Sequence, residues 1–254
     1  MSRVVIVVPI TSDVRQLDFD QYHALAARRE SHLLLVDCGS RGQSAHVLEL
    51  LRRTDGNSVD VLKLSKDHGP AEAVRLGFQR AITSNPDYVA VWEAELLVPP
   101  LYIEKFANVL DQQSILEVVL GSRLSLTGRP YQSCRRRIWQ EIRNSLVSAV
   151  LGLGLRDTAC PARLFRASPS LELAFEKPFE SEQLWEIELL GRLAQIASRV
   201  ENYLPQSVFY EYPLGHWKLG TESEAHANHW AKQFGQWVSV CWRYRRAELR
   251  SFAA

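Results

Sequence analysis

Five short apolar runs separated by helical patterns constrain the fold of this chain more than any other feature of its sequence. The runs are Val4–Val8, Leu33–Val36, Val59–Leu64, Tyr88–Trp92 and Val118–Leu120. Between them, apolar residues recur with helical spacing, which predicts helices over 14–30, 43–53, 71–83 and 100–110. Strands without polar alternation are typical of a parallel sheet buried on both faces. The sequence therefore predicts an α/β fold with a mostly parallel sheet, right-handed crossovers and helices on both faces.

The second half of the chain has a different pattern. Two helices and two short strands are predicted at 135–151, 182–198, Leu164–Phe165 and Ser207–Tyr212. A last helix is predicted from His226 to Arg246. No linker-like stretch divides the chain, so residues 1–225 are predicted to form one domain and residues 226–254 a helical C-terminal extension.

Composition excludes several classes of protein. The formal net charge of +1 gives no general attraction to nucleic acid or to an anionic membrane. The four cysteines are scattered and form no CxxC pair, which favours free thiols in a reducing compartment over zinc ligands or disulfides. The N-terminus does not resemble a signal peptide, and no apolar run is long enough to span a bilayer. We therefore expect a cytoplasmic protein, either free or peripheral at the inner membrane face.

Two glutamates follow the fourth apolar run directly. Glu93 and Glu95 are two residues apart, and a proline pair at Pro99 ends the segment. Side chains alternate along a strand, so both carboxylates are predicted to share one side at the carboxyl end of that strand. Ligands of open α/β sheets bind there, and two carboxylates can hold a divalent cation that in turn holds a diphosphate. The alternative is a strand end with two solvated acids.

The order of short motifs resembles that of family-2 glycosyltransferases of the GT-A fold, close to the dolichyl-phosphate mannose or glucose synthase branch. Eight elements match in order: Val4–Asp13, Val36–Ser40, Gly69–Phe78, Trp92–Pro100, Gly121–Arg123, Asp157–Arg166, Leu184–Leu190 and Glu211–Pro213. Each match is weak by itself, but the order of all eight makes the resemblance specific. It implies a nucleotide-sugar half over 1–123 and an acceptor half over 124–225.

The resemblance also implies roles for particular residues. Those expected to bind the nucleotide sugar are Pro9, Asp13, Asp37, Gly69 and Glu93. Glu93 and Glu95 would hold Mg²⁺ or Mn²⁺, which stabilises the diphosphate leaving group as a Lewis acid. Arg123 and Asp157 are the candidate catalytic residues, and Asp157 would act as general base if the acceptor is a hydroxyl. Arg136 and Gln140 stand where the lipid-phosphate branch binds its acceptor phosphate.

Simpler interpretations exist for several of these residues. Asp37 precedes Gly39 and Ser40, a pattern typical of a turn. Asp157 can close the loop after Gly154, and the arginines around Arg136 can form a solvated helix start.

Six positions depart from the family pattern. Glu93 and Glu95 stand where the metal motif has Asp, and Leu97 stands where it has Gln. Pro70, Pro161 and Glu224 replace a lysine, a glycine and a lysine. These departures place metal dependence and a lipid-phosphate acceptor in question.

The C-terminal helix carries an aromatic stripe that includes Trp230, Trp237 and Tyr244. Packing against the sheet, a homo-oligomer contact and a membrane-surface contact all fit such a stripe. His216 and Trp217 are weaker candidates for the acceptor mouth.

The sequence predicts a glycosyltransferase that moves a sugar from a UDP- or GDP-sugar to a phosphate or hydroxyl acceptor, with inversion and metal assistance. Polyprenyl phosphate, a small molecule, a glycan and a nucleic acid all remain open as acceptors. The alternative is a non-catalytic nucleotide-sugar-binding or partner protein on the same fold. A sugar nucleotidyltransferase is disfavoured because no glycine-rich loop follows the first strand.

Overall fold

The fold is a single mixed sheet with helices on both faces, seen in a computed structural model. The described residues are 3–11, 17–28, 30–64, 68–123, 151–199, 204–218 and 244. The strands are β1 (Val4–Ile10), β2 (Ser31–Asp37), β3 (Val59–Lys63), β4 (Tyr88–Val91), β5 (Val118–Ser122), β6 (Arg163–Arg166) and β7 (Phe209–Pro213). The helices are α1 (Phe19–Ala26), α2 (Gly42–Thr54), α3 (Pro70–Ile82), α4 (Leu101–Gln112), α5 (Pro169–Glu176) and α6 (Trp185–Ala197).

The seven strands lie in the order β3-β2-β1-β4-β6-β5-β7. Only β6 runs antiparallel to its neighbours β4 and β5, and the other described pairs are parallel. β4 and β5 are buried along their whole length, as expected for strands covered on both faces. The predicted mostly parallel α/β fold is confirmed.

Two apolar clusters fill the space on either side of the sheet. One joins the sheet to α3, α5 and α6, and the other joins it to α1, α2 and α4. Gly77 is needed in the first cluster, because a Cβ atom there would lie 2.6 Å from Val7 Cγ1 and 2.7 Å from Val36 Cγ2. This close approach lets α3 pack tightly on β1 and β2.

Several predicted boundaries were wrong. α1 begins after Asp18, whose carboxylate accepts the Gln21 N–H as a helix cap, so Leu17 and Asp18 are not helical as the predicted 14–30 helix requires. The predicted strand at Ser207 begins instead as a 3₁₀ turn, Pro205–Val208. The helix predicted over 182–198 starts at Trp185.

α5 was missed by the sequence analysis, although it carries a clear start signal. Ser168 caps it by accepting the Leu171 N–H, and Pro169 occupies the first helical position. Its single apolar turn is too short for a periodicity argument.

The C-terminal extension is described only at Tyr244. A Cβ atom at Gly191 of α6 would lie 2.7 Å from Tyr244 Cγ, so the ring packs directly against that glycine. The Tyr244 hydroxyl donates to Glu188 Oε1 at 3.3 Å. At this residue the extension packs on the domain, and the rest of the predicted 226–246 helix lies outside the described residues. Within the described part of the chain, no helix is long and apolar enough to cross a membrane.

Candidate active site

The candidate site lies at the sheet edge where the parallel strands end. Asp37 closes β2, and Val91 closes β4. Because β6 runs the opposite way, it starts at this edge, with Arg163 paired to both Val91 and Leu120. The loop containing Asp157 enters β6 and is therefore delivered to the same edge. This is where open α/β sheets bind their ligands.

The two predicted metal ligands lie in a turn beyond β4, which we call the carboxylate turn (Glu93–Val98). β4 ends at Val91 rather than Trp92, so strand alternation does not place Glu93 and Glu95, and that part of the argument was wrong. The turn is closed by Leu96 N–H, which donates to Glu93 O at 3.2 Å. Leu96 adopts a left-handed conformation with φ 48°.

The two glutamates have different environments within the carboxylate turn. Glu95 is exposed, whereas Glu93 is partly buried and its Oε1 accepts the Val98 N–H at 3.0 Å. The pKa of the Glu93 carboxyl is raised to about 7, chiefly by burial; the Val98 N–H and Arg123 limit the rise, and the charge of Glu95 adds to it. Both carboxylates act on one phenol: burial and then the charges of Glu95 and Glu93 raise the pKa of Tyr22 well above its usual value.

The carboxylate turn fits a divalent ion that is shared with a ligand. The described residues contain no group of three His, Cys, Asp or Glu side chains placed to hold a metal by themselves. Mg²⁺ is commonly bound by one or two carboxylates together with substrate phosphates, and carboxylate oxygen also suits Mn²⁺. Glu95 and the second oxygen of Glu93 provide such a donor set.

The two candidate catalytic residues bind each other. Arg123 donates from Nε to Asp157 Oδ2 at 2.9 Å and from Nη2 to Asp157 Oδ1 at 2.8 Å. Its backbone N–H also donates to Asp157 Oδ2 at 2.9 Å, and Nη2 reaches Ala159 O at 3.0 Å. Burial lowers the pKa of Arg123, but the hydrogen bonds and charge of Asp157 outweigh it and raise the pKa above its usual value. The Asp157 side chain is only 2% exposed, so its carboxylate serves chiefly to hold Arg123.

Glu211 fixes the loop that carries this pair. Its two carboxylate oxygens accept the backbone N–H groups of Arg156 at 2.9 Å and Asp157 at 2.8 Å. The Arg123 guanidinium also lies 5.9 Å from the Trp217 ring centroid. Arg123 is thus held from several sides, and a place for Trp217 at the acceptor mouth stays a prediction.

A second ion pair, Arg163–Glu186, lies close to the Arg123–Asp157 pair. Arg163 Nη2 lies 3.0 Å from Glu186 Oε1, and the guanidinium carbon lies 5.3 Å from the Trp185 ring centroid. Arg163 is 1% exposed, and its Nε has no hydrogen-bond partner. Glu186 retains 26% exposure, and its charge favours the protonated form of Arg123.

Asp37 shapes a turn at the end of β2. Its Oδ1 accepts the N–H groups of Gly39 at 3.1 Å and Ser40 at 2.7 Å. The turn interpretation is therefore confirmed for this oxygen, which leaves a ligand role for the residue as a proposal. Burial, followed by the charges of Asp37 and Glu182, raises the pKa of the Cys38 thiol to about 11, so Cys38 is a neutral neighbour.

Gly69 immediately precedes α3, but the start of this helix is already capped by a carboxylate. Glu182 Oε2 accepts the Ala71 N–H at 2.9 Å. A Cβ atom at Gly69 would lie 2.2 Å from that oxygen, so the glycine makes room for Glu182. Pro70 replaces the family lysine and has no N–H to offer.

The remaining predicted residues are only partly covered by the structure. Pro9 is partly buried in β1 beside Val36. Asp13, Arg136 and Gln140 lie outside the described residues.

Five residues that shape the site had no predicted role. They are Tyr22, Trp92, Glu182, Glu186 and Glu211. Trp92, Glu186 and Glu211 fall within matched motifs, which was a usable signal. The contacts of Tyr22 and Glu182 depend on chain segments that only the fold brings together.

Comparison with known proteins agrees with this architecture. The sequence model of the family described as "Glycosyl transferase family 2" matches residues 21–173. An undecaprenyl-phosphate 4-deoxy-4-formamido-L-arabinose transferase of Photorhabdus laumondii is 26% identical over 170 residues, which cover 65% of this chain and 50% of that protein. One of the same name from Pseudomonas aeruginosa is 29% identical over 140 residues, covering 55% of this chain and 39% of that protein. The chain thus spans about half or less of the length of these relatives.

Solved structures share the fold at low sequence identity. A mannosyl-3-phosphoglycerate synthase from Rubrobacter xylanophilus superposes with a TM-score of 0.67 at 16% identity, covering 98% of this chain and 75% of that one. A glucosyl-3-phosphoglycerate synthase from Mycobacterium tuberculosis, in complex with Mn²⁺, UDP and glucosyl-3-phosphoglycerate, gives 0.65 at 17% identity, with 94% and 80% covered. These likenesses confirm the predicted GT-A fold.

Proposed function

Because this chain belongs to glycosyl transferase family 2, we propose that it transfers a sugar from a UDP- or GDP-sugar to a phosphate acceptor, with inversion and metal assistance. One observation carries the proposal most strongly. The carboxylate turn holds two acidic side chains at the ligand-binding edge of the sheet, and the charge of Arg123 reaches Glu93. A site with carboxylates for a cation and an arginine for phosphate is suited to a diphosphate leaving group.

On the donor side, we assign Pro9, Asp13, Asp37 and Gly69 to the nucleoside and its diphosphate. Asp37 lies at the end of β2, beside the α3 cap formed by Glu182. A divalent ion bound at Glu93 and Glu95 would stabilise the negative charge that develops on the leaving diphosphate. Arg123 would add a fixed positive charge, since Asp157 keeps it ionised and oriented.

The state of Asp157 favours a phosphate acceptor over a hydroxyl. A general base needs a carboxylate that can take up a proton, and both Asp157 oxygens accept hydrogen bonds from Arg123. A phosphate oxygen is already nucleophilic and needs no base. The relatives named above act on undecaprenyl phosphate by name, which agrees with this choice. We assign Arg136 and Gln140 to that acceptor phosphate.

The first test is donor binding measured by thermal shift. Wild-type protein and Glu95→Ala are heated with UDP- and GDP-sugars, with and without Mn²⁺ or Mg²⁺. Ligand that binds only the folded state raises the melting temperature by mass action. A metal-dependent rise that is lost in Glu95→Ala supports the donor site at the carboxylate turn.

Other outcomes correct the proposal in specific ways. A rise that needs no metal removes the ion from the mechanism and keeps the donor. Donor binding without sugar transfer to polyprenyl phosphate or to a hydroxyl acceptor indicates a non-catalytic binding protein. No rise with any nucleotide sugar contradicts the proposed function.

A further inference from the structure

We propose that Glu93 and Trp92 are positioning residues that hold the carboxylate turn, and that glutamate is required at position 93 because aspartate is too short for this role. Glu95 is then the carboxylate that the turn presents to a cation. The roles in ligand binding rest on the proposed function, whereas the role of Glu93 in closing the turn rests on contacts within the chain.

Both backbone groups of Val98 are held by side chains from the start of the turn. Its N–H donates to Glu93 Oε1 at 3.0 Å. Its carbonyl accepts the Trp92 indole N–H at 2.7 Å. The adjacent residues Trp92 and Glu93 therefore close the turn by binding both backbone groups of its last residue, Val98.

Two further contacts hold the middle of the turn. The Tyr22 hydroxyl donates to Ala94 O at 2.8 Å, and Lys218 N–H donates to Leu97 O at 2.8 Å. Trp92 and Val98 are each 1% exposed, so their hydrogen bonds cannot be replaced by water without opening the core.

The turn needs these contacts because its backbone is strained. Leu96 has φ 48°, a left-handed conformation that is unfavourable for a residue with a branched side chain. Such conformations persist only where the surrounding structure enforces them, and they concentrate at functional sites. The Leu96 side chain is buried, and its N–H is bound to Glu93 O, so strain and closure involve the same few residues.

The length of the Glu93 side chain decides whether the turn closes. Aspartate is shorter by one carbon–carbon bond, about 1.5 Å. From the present backbone, its oxygen would lie well beyond hydrogen-bond distance of Val98 N–H. The buried N–H would then lose its partner. The glutamate that departs from the family motif is thus matched to this turn.

The two glutamates therefore have different tasks. One oxygen of Glu93 is used inside the protein, while the Glu95 side chain is exposed at the same edge. Glu95 can approach an ion freely, and its direction depends on a turn that Glu93 and Trp92 keep closed.

The experiment compares shortening and neutralisation at both positions. The variants are Glu93→Asp, Glu93→Gln, Glu95→Asp, Glu95→Gln and Trp92→Phe. Two quantities are measured for each: the melting temperature without ligand, and the Mn²⁺-dependent affinity for UDP and GDP by calorimetry. Glu95→Asp is the matched control for the loss of one methylene.

At position 93, we expect length to matter more than charge. Glu93→Asp should lower the melting temperature by roughly 5 °C, since it leaves a buried N–H unpaired, whereas Glu95→Asp should not. Nucleotide affinity in Mn²⁺ should fall roughly tenfold or more in Glu93→Asp, as for other residues that orient metal ligands. Glu93→Gln keeps an oxygen for Val98 and should lose less affinity than Glu93→Asp.

At position 95 the order should reverse, with Glu95→Gln losing more affinity than Glu95→Asp. Trp92→Phe, which removes only the indole N–H and part of the ring, should resemble Glu93→Asp. If Glu93→Gln loses more affinity than Glu93→Asp, the negative charge of Glu93 matters more than its hydrogen bond to Val98, and the inference is wrong. It is also wrong if Glu93→Asp melts like wild type. If wild type binds no nucleotide, the proposed function fails, and the ligand-free melting temperatures still decide the role of Glu93 in the turn.

Discussion

The carboxylate turn and the Arg123–Asp157 pair lie at the same edge of the sheet, but the turn places like charges close together whereas the pair joins opposite charges. In the turn, two like charges are placed close together, one of them exposed and the other partly buried with a raised pKa. In the pair, opposite charges neutralise each other below the surface. The first region leaves one carboxylate exposed and the other partly buried, whereas the charges of the second are paired within the chain.

This difference separates an exposed side chain, which is available to a ligand, from side chains already bonded within the chain. Family resemblance assigned both groups to the site with equal weight, because motifs do not report hydrogen-bond partners. The contacts show that Asp157 is already bonded to Arg123, while Glu95 is exposed. Substitutions in the two regions should therefore change stability by different amounts and with a different dependence on pH.

The largest effect on stability is expected from replacing Asp157, the more buried member of the Arg123–Asp157 pair. Asp157→Ala leaves the Arg123 guanidinium without its main partner in a largely buried site, and we expect a loss of about 3–5 kcal/mol in the free energy of unfolding. Urea denaturation measures this directly. The control is Glu104→Ala, which removes an exposed ion pair with Arg28 and should cost less than about 1 kcal/mol. Equal effects would mean that the Arg123–Asp157 pair is no more important than a surface contact.

The carboxylate turn should instead make the free energy of unfolding depend on pH. The pKa of Glu93 rises from 4.5 to about 7 on folding, so the folded state binds this proton more tightly than the unfolded state. Its stabilising contribution is present below about pH 4.5 and is lost as pH rises through about 7. The free energy of unfolding should fall by about 3 kcal/mol over that range. Comparing wild type with Glu93→Gln by urea denaturation across the range isolates the effect, and an identical slope in both would contradict it.

A smaller loss of stability should follow from removing the contacts that hold the loop containing Asp157. Glu211→Ala removes the acceptor of two backbone N–H groups, and we expect a loss of about 2 kcal/mol. Glu211→Gln keeps one oxygen and should recover about half of that loss. A donor affinity that falls together with stability would show that Arg123 depends on this loop for its position.

The smallest stability change is expected at Asp37. Asp37→Asn keeps an oxygen for the N–H groups of Gly39 and Ser40, so the free energy of unfolding should change by less than about 1 kcal/mol. Nucleotide affinity should nevertheless fall roughly tenfold if the carboxylate also contacts the ligand. Calorimetry with UDP and GDP measures it, and unchanged affinity would leave Asp37 as a turn residue only.

Much of the fold could be predicted because its signals are local. The apolar runs of β1, β2 and β4 are continuous and buried, and a buried parallel strand has this pattern wherever it occurs. Boundaries were less predictable, because side-chain caps such as Asp18 decide them. α5 has too few residues for its periodicity to be recognised.

The site could be predicted by location but less well by role. Glu93, Arg123 and Asp157 were placed at the correct edge because motif order follows strand order. Their partners could not be deduced, since Glu211 and Asp157 are separated by 54 residues and Tyr22 and Ala94 by 72. Such contacts depend on tertiary packing, and a motif gives no information about them.

The reversed strand has a consequence for how the chain is made. β5 is bonded to β6 on one side and to β7 on the other, and both follow it in the sequence. During synthesis from the N-terminus, residues 118–122 leave the ribosome long before residues 163–166 and 209–213 can cover them. A largely apolar strand with two open edges is prone to aggregation during that interval. The interior position of β6 thus makes completion of the sheet, and of the edge that carries the candidate site, a late event in biosynthesis.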